Sequence, residues 1–149
     1  MYENVIDLHI VISVLFIIIA LILIGRSLIS LLRPLCFKKF DNILSIAFLA
    51  FMYVQLVSGV LLYFFLDPAD GSNINSFEAV MKNNNLRFWA IEHVSLMLFA
   101  LVLTQIGYIF LSRSTRDNKK FRNIGFFYGV STLVVVISMV VALNNEGVI

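Results

Sequence analysis

Four residues with chemically active side chains stand together where a long apolar segment begins. Arg87, Trp89, Glu92 and His93 open this segment, and the chain's only other histidine, His9, stands near the start of another apolar run. Ionisable side chains within a membrane-spanning segment are costly to bury, so they mark a candidate functional site. We therefore expect the two histidines to define the site.

Composition places the segments that carry these residues in a membrane. Of the 149 residues, 60% are hydrophobic and 13% are charged, whereas about 25% of the residues in a typical soluble domain are charged. The apolar surface of this chain is too large for the core of one small water-exposed domain, so its solvent must be lipid. We expect a single domain.

Several kinds of chemistry are excluded by the sequence. The single Cys36 rules out an internal disulfide and a cysteine-rich metal or iron–sulfur centre. No Cys-x-x-Cys-His motif is present for covalent haem attachment. There is also no phosphate-binding loop and no nucleophile–base set, so we do not expect a hydrolase or a transferase.

Four apolar segments separated by polar ones predict an all-α, up-down-up-down four-helix bundle. The predicted spans cover residues 8–32, 43–66, 86–112 and 124–143. Each has roughly 18 to 27 residues, enough to cross about 30 Å of hydrocarbon at about 1.5 Å per residue. We expect the basic segment 113–122 to form a loop between the third and fourth spans.

Two further expectations concern charged residues at helix ends. Asp41 or Asn42 is a candidate N-cap for the second helix. Arg26, at the far end of the first span, is expected to extend to the membrane interface.

The cations are unevenly distributed along the chain. Nine of the eleven Lys and Arg residues lie in or beside the two segments that join spans one to two and three to four. The positive-inside rule therefore predicts that both segments are cytoplasmic and that both termini are outside. Because these cations stand against the membrane, we interpret them as topology signals with anionic lipid contact, and not as a nucleic-acid site.

The predicted topology brings His9 and His93 to a similar depth near the outer face. The first and third spans run in the same direction, and each histidine lies within the first turn or two of its helix. Each helix also carries a stripe of small or weakly polar residues, which favours close packing in lipid. The stripes are His9, Ser13, Phe16 and Ala20 on the first helix, and Trp89, His93, Met97, Ala100, Thr104 and Gly107 on the third.

Two level imidazoles on parallel helices provide one axial ligand for each face of a b-type haem. We therefore expect haem b between His9 and His93. Gly59 on the second helix would let the ring approach the backbone, and Arg87 would neutralise the propionates. Aromatic side chains would supply the rest of the crevice, namely Phe16, Tyr53, Tyr63, Phe88 and Trp89.

Other interpretations of the histidine pair stay open. A histidine at headgroup depth often serves only one hydrogen bond, and the pair could also hold a single metal ion or relay protons. A tetrahedral zinc site would need Glu92 as well, which is adjacent to His93 and hence about 100° away around the helix. In a haem site, an acid such as Asp7 or Glu92 is expected to orient a ring N–H.

Three other residues predict contacts between helices. Gln55 lies near the middle of the second span and is expected to bond another helix, with quinone or water contact as the alternative. Gly125 and Gly129 form a small-xxx-small motif, which favours close helix packing in lipid. That motif can join the fourth helix to the bundle or to a partner subunit.

Over nearly its whole length the chain resembles a family of small bacterial four-helix membrane proteins that are loosely labelled cytochrome b. The segment from Arg87 to His93 carries the most specific part of the resemblance. The chain departs from the family at Asp7, where members often have a second histidine, and at Ser13-Val14, where they often have Arg-Trp. The matching residues are Tyr2, His9, the runs 55–59, 62–64, 81–82, 86–89, 92–93, 106–107 and 119–121, and finally 127–129.

The resemblance implies a haem-b protein of the bacterial inner (cytoplasmic) membrane but no defined reaction. Our hypothesis for its function is electron transfer near the outer face of that membrane. His9 and His93 would be the ligands, with Arg87 and Glu92 as neighbours. Expected partners are a quinol pool, another redox protein and the subunits of a respiratory complex. The alternative function is a cofactor-free accessory subunit that stabilises a larger membrane protein complex.

Overall fold

A computed structural model describes residues 2–64, 81–82 and 84–145 of this chain. This part of the chain consists of four long helices, with no strand among its residues, so the predicted all-α fold is confirmed. The end of the second predicted span, residues 65–66, lies outside the described residues.

Two of the helices contain a turn that is wider than an α-helical turn. α1 and α2 are regular, whereas α3 and α4 each include a π-helical segment, a feature that is frequent at functional sites. α1 covers Tyr2–Leu32 and α2 covers Lys39–Phe64. α3 runs continuously through Asn84–Arg87, the π segment Phe88–His93 and Val94–Arg113, and α4 through Asp117–Asn123, the π segment Ile124–Tyr128 and Gly129–Asn145.

All four helices are long and apolar enough to cross a membrane. Many of their large apolar side chains are exposed on the outside of the bundle, as expected for contact with lipid. Length and composition thus define a multi-pass membrane protein. The spanning stretches are Asn4–Leu32, Lys39–Leu62, Phe88–Arg113 and Asp117–Asn144.

Consecutive helices run antiparallel, and each of α1 and α3 packs against both α2 and α4. α1 and α3 therefore occupy one diagonal of the bundle and run in the same direction. This arrangement confirms the predicted up-down-up-down topology. It also turns the inner faces of the two histidine-bearing helices toward each other.

Three aromatic side chains fill the centre of the bundle. The rings of Phe16 and Phe48 lie 4.5 Å apart between centroids, and those of Phe48 and Tyr128 lie 4.7 Å apart. All three are fully buried. The Tyr128 hydroxyl donates a hydrogen bond to the carbonyl oxygen of Ser45 at 3.3 Å, so this polar group is satisfied inside the apolar core.

α4 begins at Asp117, well before the start of the predicted span at residue 124. The cause is Phe121, a fully buried side chain within the basic segment. Its ring packs edge-on against Phe37 with centroids 5.4 Å apart, and its carbonyl oxygen accepts a 2.7 Å hydrogen bond from Ser27 Oγ. The prediction of a loop over residues 113–122 is therefore wrong over most of that range. Burial of Phe121 holds this charged segment against α1, and the segment forms the first turns of α4.

Asp41 is fully buried and forms an ion pair with Arg26. It also accepts a 2.9 Å hydrogen bond from the Lys38 backbone N–H, reaching back from the first turn of α2 as acids do in a capping box. Asp41 is therefore not the N-cap residue of α2, contrary to the sequence prediction. It lies in the first turn of the helix and accepts a hydrogen bond from Lys38, the residue that precedes α2. Arg26 turns toward this carboxylate, because a buried charge must be paired.

Gly125 brings α4 against α1 within the chain. A Cβ atom at this position would collide with Ser27 Oγ, whereas a Cβ at Gly129 would meet nothing within 4 Å. The two glycines of the small-xxx-small motif therefore differ in role, and only Gly125 is needed for close packing inside the described bundle.

Alanine at position 125 is expected to destabilise the protein, and alanine at position 129 is not. Gly125→Ala should displace Ser27 from Phe121 and cost about 1–3 kcal/mol. Gly129→Ala should be neutral or slightly stabilising, since alanine favours a helix over glycine by up to about 1 kcal/mol. The measurement is the melting temperature of each purified variant in one detergent, and equal shifts for both would contradict this assignment.

The orientation of the bundle in the membrane stays a prediction that Cys36 can test. This exposed thiol lies in the connection between α1 and α2. In sealed right-side-out vesicles, a membrane-impermeant maleimide should label it only after lysis. In a Cys36→Ser background, Asn84→Cys at the opposite end should be labelled without lysis, and the reverse pattern would invert the predicted topology.

Candidate functional site

One small cavity brings the two histidines together. It has a volume of about 40 Å³, room for a water molecule or a few at about 10–15 Å³ each. Every helix of the bundle contributes to its wall. The lining residues are His9, Ser13 and Phe16 from α1, Met52 and Gln55 from α2, His93 and Met97 from α3, and Val135 and Met139 from α4.

The two histidines lie level with each other across the bundle diagonal. Both line the same cavity of about 40 Å³. Because α1 and α3 run in the same direction, both rings lie at the same end of the bundle.

A hydroxyl group on α2 orients the His9 ring. His9 Nδ1 lies 2.7 Å from Ser58 Oγ, and Ser58 Oγ donates its proton to the carbonyl oxygen of Gln55 at 3.1 Å. The hydroxyl of Ser58 thus links the His9 ring to the backbone of α2 and leaves Nε2 as the ring nitrogen outside this contact.

A second hydroxyl, on α4, holds the His93 ring. His93 Nδ1 lies 2.8 Å from Oγ of the fully buried Ser138. The Trp89 ring packs edge-on against the imidazole at 5.2 Å between centroids, and Phe88 lies 6.0 Å away. Among the residues that the structure describes, neither histidine has a hydrogen-bond partner at Nε2, so both rings keep one nitrogen available.

Gln55 bonds α1, as the sequence predicts, and leaves one polar atom unpaired. Its Nε2 donates to Ser13 Oγ and, at 3.2 Å, to the carbonyl oxygen of His9. Its Oε1 is buried and is the one buried side-chain nitrogen or oxygen in the described part of the chain without a hydrogen-bond partner. Gln55 is also one of the residues that line the cavity.

Gly59 lies directly beside the His9 imidazole. A Cβ added to Gly59 would be 3.5 Å from His9 Cε1, which is ordinary van der Waals contact. A methyl group at position 59 would therefore fit beside the histidine ring without a clash. Gly59 is not among the residues that line the cavity.

The acidic and basic residues near His93 lie away from the cavity. Arg87 Nε and Glu92 Oε1 form an ion pair at 3.0 Å, with side chains 38% and 47% exposed. Asp7 is also exposed. The expected role of Asp7 or Glu92 in orienting an imidazole is corrected, because serine hydroxyls make that contact.

Sequence reasoning missed two kinds of residue in this site. Ser58 and Ser138 stand within apolar runs, and an isolated polar side chain in a spanning helix signals a hydrogen bond to another helix. Met52 and Met139 carry no such signal, because a methionine in an apolar helix is usual. Only the packing of four helices shows that both face the histidines.

A larger depression of about 530 Å³ lies at the opposite end of the bundle, around the connection between α3 and α4. Its lining includes Arg116, Lys119 and Arg122. These cations stand beside the membrane-spanning stretches, where anionic lipid headgroups are the available counter-charge. The depression is a feature of the basic end and does not reach the histidines.

Comparison of the chain with protein-family models, curated proteins and solved structures found no match. In the described residues there is also no group of three or more His, Cys, Asp and Glu side chains that could hold a metal ion. A metal ion with three or more protein ligands at this site would therefore need donors of other types.

The two serine contacts can be tested separately by nitrogen NMR, because the chain has only two histidines. In protein labelled with ¹⁵N-histidine, Ser58→Ala should shift the ring resonances of His9 and leave those of His93 in place. Ser138→Ala should do the opposite. Shifts of both rings in both variants, or of neither, would contradict the separate anchoring.

Proposed function

We propose that this chain is a membrane-embedded electron-transfer protein whose redox group is held between His9 and His93. One observation carries the proposal. Two neutral imidazoles from diagonal helices face one apolar cavity, each tied at Nδ1 by a serine of a neighbouring helix. Partners at the second ring nitrogen are what a metal-ligating histidine requires to fix its tautomer and its direction.

Haem b is the redox group that the resemblance implies, and its donor chemistry is present. Neutral imidazole nitrogens on facing helices are suitable axial ligands. The space is not sufficient, because the cavity of about 40 Å³ is well below the roughly 300–1,000 Å³ of pockets for organic ligands. The residues therefore fit the iron ligation but, in this packing, they do not fit the macrocycle.

The environment proposed for this function follows from the membrane fold. A quinol dissolved in the lipid is a suitable class of electron donor, since the site lies within the apolar layer near one face. Other membrane protein subunits would accept the electrons. The bacterial inner membrane and an outer-face location rest on the resemblance and on the distribution of Lys and Arg.

A second function is supported by the closure of the cavity. Four helices pack so that little more than a few water molecules fit between the histidines. In this second function, the cavity holds no cofactor and the hydrogen bonds of His9 and His93 serve only to join helix pairs. The chain is then an accessory subunit of a larger membrane complex.

The first function predicts a stoichiometric redox group in protein purified from cells supplied with haem and trace metals. A reduced-minus-oxidised optical spectrum tests for haem, and elemental analysis tests for a bound metal. Either His9→Ala or His93→Ala should remove the group, because each deletes one of two ligands.

Glu92→Gln is the matched control, since Glu92 is exposed and pairs only with Arg87. It should retain the full complement of the redox group. Wild-type protein without haem and without stoichiometric metal would disprove the electron-transfer function and favour the accessory one.

A further inference from the structure

Methionine side chains from three helices line the histidine cavity. Four methionines lie in the described part of the chain, and three of them, Met52, Met97 and Met139, line this cavity. The fourth, Met81, is 43% exposed and lies elsewhere. The wall therefore combines three methionine side chains with two histidines.

That donor set selects a particular class of metal ion. Thioether sulfur is a soft ligand that favours Cu(I), and imidazole is also a common copper ligand. Structural and catalytic zinc sites instead use thiolate, imidazole and carboxylate donors. Among the residues that the structure describes, no cysteine, aspartate or glutamate lines this cavity, so its chemistry suits Cu(I) better than Zn²⁺.

The charge of the site favours a monovalent cation. Every residue in the cavity wall is neutral when the imidazoles are unprotonated. An uncompensated charge within a membrane is costly, and the cost rises steeply with the size of the charge. Cu(I) bound by neutral ligands leaves one positive charge, whereas a divalent ion would leave two.

The cavity has room for a metal ion but not for the haem macrocycle. About 40 Å³ accommodates a single metal ion among its ligands without moving the helices apart. The aromatic core at Phe16 closes the cavity on its inner side, and this ring is fully buried. Methionine side chains are flexible enough to adjust around a small ion.

We propose that the cavity binds one Cu(I) ion through the imidazoles of His9 and His93 and thioether sulfur from Met52, Met97 and Met139. The inference rests on the proposed function, in that it names the redox metal of the same histidine pair. It differs from haem ligation in requiring the methionines.

The test titrates Cu(I) into the purified full-length protein against a chromophoric Cu(I) chelator. A Cys36→Ser background removes the exposed thiol, which would otherwise bind the ion. We expect one Cu(I) per chain, bound at least about tenfold more weakly after Met52→Leu, Met97→Leu or Met139→Leu. Met81→Leu is the matched control and should leave the affinity unchanged.

Methionine-to-leucine changes nearly conserve volume and usually cost less than about 1.5 kcal/mol, so the variants should fold. X-ray absorption of the copper-loaded parent protein provides a readout that needs no cavity variant, and sulfur should appear among the nearest neighbours of copper. Absence of sulfur, or an affinity that none of the three cavity substitutions changes, would overturn the inference.

A parallel titration with haem separates this inference from the function on which it rests. Copper binding without haem binding supports both. Stoichiometric haem ligated by both histidines, without Cu(I) binding, preserves the electron-transfer function and overturns the copper site. If neither haem nor Cu(I) binds, both proposals fail and the cavity holds only water.

Discussion

A polar side chain that enters the hydrocarbon layer must find its partner inside the protein, because lipid offers none. This constraint shapes the whole bundle. His9 finds Ser58 and thereby joins α1 to α2, and His93 finds Ser138 and joins α3 to α4. Further bonds join α1 to α4 through Ser27 and Phe121, α3 to α4 through Ala100 and Ser131, and α2 to α4 across the bundle through Ser45 and Tyr128. Each pair of neighbouring helices in these contacts is fixed in register by a few polar atoms.

The two ends of the bundle pair their buried polar groups in different ways. At the basic end, Arg26 and the buried Asp41 form an ion pair that the Lys38 backbone N–H completes. At the histidine end, neutral groups are used, and one acceptor, Gln55 Oε1, is left over. A fully paired ion pair has no capacity for a ligand, whereas a neutral wall with unused donor atoms does. This difference makes the histidine end the candidate functional site.

Packing density decides what that site can hold. The stacked rings of Phe16, Phe48 and Tyr128 fill the bundle directly beyond the cavity. Three flexible methionines occupy the remaining space around the imidazoles. The result is a site rich in ligand atoms and poor in volume, which is better matched to a small soft cation than to a porphyrin. The electron-transfer function requires only that some redox group is held by the histidines, and the cavity volume restricts which group it can be.

The sequence by itself determined the number of spans, the antiparallel topology and the placement of His9 and His93 at the same end of the bundle. These follow from hydrophobic run length and helical rise, which are local properties. It did not determine where α4 begins, because burial of Phe121 depends on a contact with Phe37 that is distant along the chain. Nor could the sequence show that serines, and not Asp7 or Glu92, bind the imidazole rings. The direction of each side chain depends on how the four helices are rotated about their axes. Only tertiary packing fixes that rotation, and with it the methionine wall and the volume between the imidazoles.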